Sequence, residues 1–140
     1  VKEASNKYGA STIVVAVDAK KVSANKWQVF THGGRNATDL DVIDYCNEVE
    51  ALGAGEILLT SMDRDGTKTG FDNDLLKTIT SKLSIPVIAS GGVGNLEHMY
   101  EGVSIGGASA LLAASIFHFG EYRIEDVKRY LADKNIPVRI

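Results

Sequence analysis

The stretch Leu58–Gly70, LLTSMDRDGTKTG, decides how the rest of the chain is read. An apolar run, Ile57-Leu58-Leu59, stops abruptly at Thr60, Ser61, Asp63, Arg64, Asp65, Gly66 and Thr67. A short apolar run bounded by polar and turn residues reads as a buried strand feeding a loop. In parallel α/β sheets the loops after strand ends are where ligands bind. Gly66 lets backbone N–H groups approach an anion, and Thr67 adds a hydroxyl donor. Asp63 and Asp65 would repel a phosphate if both faced it, so at least one of them orients a loop or a substrate hydroxyl. Taken alone, the stretch reads equally well as a solvated charged loop.

Outward from it, the same junction recurs. Gly9-Ala10-Ser11, Gly53-Ala54-Gly55 and Gly107-Ala108-Ser109 each precede a strand-like run, as repeated βα units require. Upstream, Val1–Tyr8 reads as the tail of a helix ended by Gly9, and Thr12–Val17 (TIVVAV) as a strand buried on both faces that stops at Asp18. A carboxylate at such a strand end either caps a turn or does chemistry, and chemistry is the favoured reading. Lys20–Phe30 reads as a hairpin around Ser23-Ala24-Asn25-Lys26, followed by a loop Thr31–Arg35 in which His32 sits beside Gly-Gly. Asp39–Leu52 has an apolar stripe of Leu40, Ile43, Cys46 and Val49, so it is expected to be a helix capped by Thr38 or Asp39.

Downstream, Asn73–Leu83 reads as a helix and Pro86–Ala89 as a strand that opens into Ser90-Gly91-Gly92-Val93-Gly94-Asn95. Glycines between a strand and a helix make an anion site plausible, although Gly-Gly also serves tight turns. Leu96–Ser104 follows as a helix with His98 expected towards solvent. Ala110–Ala113 is a strand ending at Ala114-Ser115, Ile116–Phe119 a short helical turn, Ile124–Lys134 a helix and Pro137–Ile140 a tail. A hairpin and helix followed by three βα units specify an α/β fold with a parallel sheet. Four parallel strands fit a small open sheet or half of an eight-stranded barrel.

Composition narrows the function classes. The 140 residues suffice for a single domain with one core, and the net charge of −3 lacks the basic footprint of a nucleic-acid binder. No apolar run approaches the roughly 18 residues that span a bilayer, and no signal-peptide pattern opens the chain, so a cytoplasmic location is expected. Cys46 cannot form an internal disulfide and reads as a small core residue rather than a nucleophile. No Cys/His group has metal-ligand spacing, so neither metal nor cofactor is expected.

Five strand-end motifs carry a resemblance: AVDAK (Ala16–Lys20), THGGR (Thr31–Arg35), GAGEILLTSMDRDGTKTG (Gly53–Gly70), PVIASGGVGN (Pro86–Asn95) and LAASIFHFGE (Leu112–Glu121). In this order the chain resembles the C-terminal half of the cyclase subunit of imidazole glycerol phosphate synthase, a (β/α)8 TIM barrel of histidine biosynthesis. The resemblance implies ring closure with ammonia from a glutaminase partner, on a substrate with a phosphate at each end. It implies a catalytic role for Asp18, the second of two catalytic aspartates; the first has no counterpart here. It implies a phosphate site at Asp65, Gly66, Gly91, Gly92, Ala114 and Ser115, with Thr31, Thr60 and Ser90 lining the pocket. Glu56 resembles one member of a charged ring at the opposite mouth, and reads equally as a solvated strand-end carboxylate. The sister isomerase acting on a phosphoribosyl formimino substrate shares an RDGT-like loop, but Asp18-Ala19-Lys20 and the SIFHFGE stretch favour the cyclase.

The expectation is therefore a single (βα)4 half-barrel domain over residues 1–140 that binds phosphate or a phosphorylated small molecule. Its cyclase (lyase) chemistry would depend on a second half or second copy completing the barrel. The alternative is a non-catalytic half-barrel binding or assembly module. A half-barrel would leave two sheet edges unpaired and an apolar concave face, assigned to Val15, Leu58, Val87 or their neighbours. Two copies related by a two-fold axis would pair both edges, so a homodimer is expected.

Overall fold

A computed structural model describes residues 1–139. Six strands form one sheet: β1 (Val14–Ser23), β2 (Lys26–Thr31), β3 (Asn36–Asp41), β4 (Glu56–Ser61), β5 (Val87–Ser90) and β6 (Ala110–Leu111), in the order β3-β2-β1-β4-β5-β6. The strands β1, β4, β5 and β6 run parallel, whereas β2 and β3 extend the β1 edge antiparallel. Helices follow the parallel strands: α2 (Val42–Ala51) after β1 and its β2–β3 extension, α3 (Asn73–Thr80) after β4, α4 (Leu96–Ser104) after β5 and, after β6, α5 (Ser115–His118) with α6 (Ile124–Asp133). The helix α1 (Lys2–Tyr8) precedes β1 through a 3-10 turn at Ala10–Thr12. This is an α/β fold, an unclosed portion of a (β/α)8 barrel with four βα units.

All the helix-borne core lies on one side of the sheet. Val17 and Ala19 of β1, Trp27 and Val29 of β2, Ile57 and Leu59 of β4, and Val87 and Ala89 of β5 are buried there. Against them pack Val42, Cys46 and Val49 of α2, Leu75, Leu76 and Ile79 of α3, Met99 of α4, and Val127 and Leu131 of α6. Alternation sends the intervening residues to the other face. There Ala16, Leu58, Ile88 and Ala110 form one row in register, with Leu58 and Ile88 half-buried and the two alanines exposed. The open face is thus Ala16, Leu58 and Ile88. Val87 belongs to the helix side, and Val15 packs against the same core, because the parity of both strands sits one residue from that expected.

Several boundaries differ from the sequence reading for identifiable reasons. The first strand does not stop at Asp18 but continues to Ser23, since hairpin pairing with β2 holds Asp18 opposite Phe30 and Ala19 opposite Val29. Thr12 belongs to the 3-10 turn instead of the strand, with its hydroxyl donating to the Gly9 carbonyl at 2.8 Å. Residues 36–41 form β3, so that Asp39–Asp41, expected as the first turn of a helix, are strand instead, because β2 offers a free edge and the Thr38 hydroxyl donates to the Val29 carbonyl at 2.7 Å. The helix then starts at Val42, capped by Asp41, whose Oδ1 accepts the N–H of Ile43 at 2.8 Å. Leu40, expected on its buried stripe, is exposed on β3. The helix α3 ends at Thr80, with a turn covering Ser81–Leu83, and Ile124 is exposed instead of facing the core. Ile140, the end of the expected tail, lies outside the described residues.

Candidate functional site

The loop after β4 is built from its own side chains. The Thr67 hydroxyl donates to the Arg64 carbonyl at 2.6 Å, and the Arg64 guanidinium donates back to Thr69 Oγ1 at 3.1 Å. Asp63 faces away from the loop's interior: its Oδ2 accepts the Lys21 N–H at 2.7 Å and ties the loop to the hairpin. Of the two closely spaced carboxylates, Asp63 is therefore the one that orients the loop. Gly70 donates its N–H to the Gly92 carbonyl at 2.8 Å, docking this loop on the one that follows β5.

That second loop requires glycine on steric grounds. At Gly92 (φ +98°) a Cβ would meet the Gly70 carbonyl oxygen at 2.3 Å and Arg64 Cβ at 2.7 Å. At Gly91 (φ +93°) it would lie 2.8 Å from the Ser61 carbonyl oxygen. The two loops are thus packed backbone to backbone. His98, expected towards solvent, is half-buried instead: its Nδ1 accepts the Gly94 N–H at 3.1 Å and supports the loop from below. Asn95 caps α4 by accepting the His98 N–H at 2.9 Å.

Between these loops and the one after β6 lies a cleft of about 130 Å³. It brings together Asp65, Gly66, Gly91, Gly92, Ala114 and Ser115, with Ser90 also in its lining. Among the described residues, the N–H groups of Gly66, Gly92 and Ser115 have no acceptor. Such unpaired donors converging at neighbouring strand ends suit an anion. Lys68 also lines the cleft, and the sequence reading passed over it because a lysine in a charged loop carries no signal of its own.

Asp18 stands apart from this cleft but on the same face. Register places Asp18 beside Thr60, Thr60 beside Ser90, and Phe30 on the other side of Asp18. At about 4.8 Å per strand, Asp18 lies roughly 10 Å from the Ser90 position. Thr60 lies between the two and is not part of the cleft lining. Thr31 lies at the end of β2, exposed and paired in register with Asn36, also outside the cleft. His32 is exposed with φ 56°, its Nδ1 3.1 Å from Thr31 Oγ1. Glu56, half-buried, begins β4 at the opposite end of the sheet, beside Val14.

Cys46 is fully buried, and burial foremost, with Asp41 adding to it, pushes its thiol up to about 12, which removes it as a nucleophile. Among the described residues no group of three or more His, Cys, Asp or Glu side chains could hold a metal ion, and no helix is long and apolar enough to cross a membrane. The comparison with protein families bears directly on this geometry. A family model described as "Histidine biosynthesis protein" matches residues 1–123, from α1 through β6 and α5 to the turn before α6. The chain belongs to the histidine biosynthesis protein family. The match includes every strand and all three loops of the cleft, so the site described above lies wholly within the family region.

Proposed function

We propose that this chain is the phosphate-binding C-terminal half of a barrel of the imidazole glycerol phosphate synthase cyclase type. The observation that carries the reading is the convergence of Asp65-Gly66, Gly91-Gly92 and Ala114-Ser115, which together span some fifty residues of sequence, on one cleft with unpaired backbone donors. Its ligand is one phosphate of a phosphorylated small molecule. Asp18, two strand spacings from Ser90, is placed to meet the body of a ligand whose phosphate end is held in the cleft. There its carboxylate would act as general base, taking a proton from the nitrogen that attacks a substrate carbonyl during ring closure, and as general acid would return that proton to the carbonyl-derived oxygen, which leaves as water. The strands of a complete barrel must come from a second half or a second copy, and a glutaminase would supply ammonia as in the resembling family.

The sister isomerase belongs to the same chemistry of phosphorylated substrates, and Asp18-Ala19-Lys20 with the Ser115–Glu121 stretch favours the cyclase over it. Two measurements test the reading. Titration with inorganic phosphate, followed by amide NMR, is expected to move the Gly66, Gly92 and Ser115 resonances first. A turnover assay with the cyclase substrate and an ammonium salt separates a catalytic assembly from a half-barrel that only binds. Phosphate shifts confined to other loops would remove the site assignment.

A further inference from the structure

Among the described residues, Lys68 is the single cationic side chain lining the cleft, where Asp65 contributes a carboxylate. Its ammonium pairs with Glu121, in the turn that follows α5, so the ion pair spans from the loop after β4 to the segment after β6. Both side chains are half-exposed, which leaves the pair free to exchange partners. The backbone of Lys68 is left-handed, with φ 56°, a region where glycine is at ease and a long side chain is not. The chain is held there: a Cβ at Gly94 would lie 2.7 Å from both Lys68 Cβ and the Lys68 carbonyl oxygen, so the glycine loop presses directly on this residue. A lysine kept where glycine would fit with less strain points to a use for its side chain.

We propose that Lys68 is the specificity-determining cation of the phosphate cleft, and that Glu121 holds it until the anion takes its place. This rests on the phosphate reading above and adds the side-chain charge that selects a dianion. Without Lys68, the charge lining the cleft is the carboxylate of Asp65, which repels phosphate, and Glu121 outside the lining loses its partner. With it, the anion gains a charge-assisted hydrogen bond that neutral backbone donors do not supply. Glu121 competes for the same ammonium, so its removal strengthens binding.

The test is inorganic phosphate titration at fixed ionic strength, read by the Gly66, Gly92 and Ser115 amide shifts, on the wild type and four variants. Lys68→Gln and Lys68→Gly are each expected to raise Kd about tenfold, as loss of a hydrogen bond to a charged group implies. Lys68→Gly should do so with an unchanged or higher Tm, because it relieves the left-handed backbone. Lys68→Arg should stay within about threefold of wild type, and Glu121→Gln should lower Kd by about threefold. Wild-type Kd in both neutral variants, with the amide shifts intact, would overturn the role of Lys68 and leave the cleft standing. Weaker binding in Glu121→Gln would overturn the competition. Absence of the shifts in the wild type would overturn the phosphate reading itself, and this inference with it.

Discussion

The indole N–H of Trp27 donates to Oδ2 of Asp72 over 3.2 Å, linking two residues 45 positions apart inside the core. The other oxygen, Oδ1, caps α3 by accepting the Leu75 N–H at 3.0 Å. At the far end of the same loop, Asp63 accepts the Lys21 N–H. The segment from Asp63 to Asp72, which carries Asp65, Gly66 and Lys68, is therefore tied at both ends to the β1–β2 hairpin. The antiparallel extension of the sheet thus has a structural consequence for the cleft, although it lies on the other side of β1.

Removing the buried anchor should loosen both the fold and the site. Asp72→Ala leaves the Trp27 indole N–H unpaired in the core and α3 without its cap. An unsatisfied buried donor and a lost cap together suggest a loss of about 2–4 kcal/mol. Urea unfolding measures it, and phosphate affinity should fall in parallel. Asp72→Asn can keep the cap but presents its NH2 to the indole, so it should retain about half the stability difference. Wild-type stability for Asp72→Ala would show that the buried pair contributes nothing.

A second anchor should make stability depend on pH. Glu50, near the end of α2, accepts from the Ser84 hydroxyl at 2.6 Å, the Ser84 N–H at 2.8 Å and the Ile85 N–H at 3.1 Å. The hydroxyl bond foremost, aided by the two amides, holds its carboxyl below the usual range. A carboxyl with a lower pKa in the folded chain stabilises it above the unfolded value of about 4.3, and that contribution disappears as pH falls through the folded value. Glu50→Gln should therefore be less stable than wild type at neutral pH, by less than about 1 kcal/mol because solvent screens this largely exposed site. The gap in Tm should close in acid, and a gap of constant size from pH 7 to pH 3 would contradict the linkage.

The parts of this molecule legible in sequence are those where one local signal dominates. Ile57-Leu58-Leu59 breaking into Thr60 marks β4, and the end of the glycine loop at Asn95 marks the start of α4, which the structure begins at the expected Leu96. The strand β3 was not legible, since Asn36–Asp41 carries little β preference and pairs only because β2 offers an edge. The glycine loops were legible as a possible anion site, but their mutual packing was not. The contact of Gly92 with Gly70 and Arg64 joins segments distant in sequence, and composition is silent about it. Asp72, His98 and Lys68 were missed for the same reason, as their roles are set by tertiary partners.

Asp18 tests whether position on the open face translates into chemistry. Its neighbours in register, Thr60 and Phe30, offer a hydroxyl and an aromatic ring, and no amide or cation replaces its carboxylate in that row. In any assembly with cyclase turnover, Asp18→Asn should lower kcat by 10²–10⁴-fold, the usual contribution of a general acid–base group. Phosphate Kd should change less than threefold, because the cleft lies about two strand spacings away. Full activity in this variant would transfer the role to another residue.

The open face sets the last prediction. Ala16, Leu58 and Ile88 form an apolar row that no helix covers, and β3 and β6 end the sheet with unpaired edges. The β6 edge is short, two residues, and flanked by exposed Leu112. Covering apolar surface contributes about 25 cal/mol per Å², so a few hundred Å² on each partner outweighs the lower estimates of association cost. A partial barrel therefore gains most from a complement that also supplies strands, and a second copy related by a two-fold axis does so at two equivalent seams. In such a closed arrangement β6 of one copy would meet the Val14–Val17 segment of the other copy's β1, which β2 leaves unpaired because their pairing begins at Asp18. Light scattering at micromolar concentration should give twice the 15.0 kDa chain mass. Leu58→Lys, which places a charge in the middle of the row, should shift the species to the single-chain mass or to aggregates while leaving the helix-side core intact. A monodisperse 15.0 kDa species at all concentrations, with wild-type Tm in Leu58→Lys, would show that the open face needs no partner.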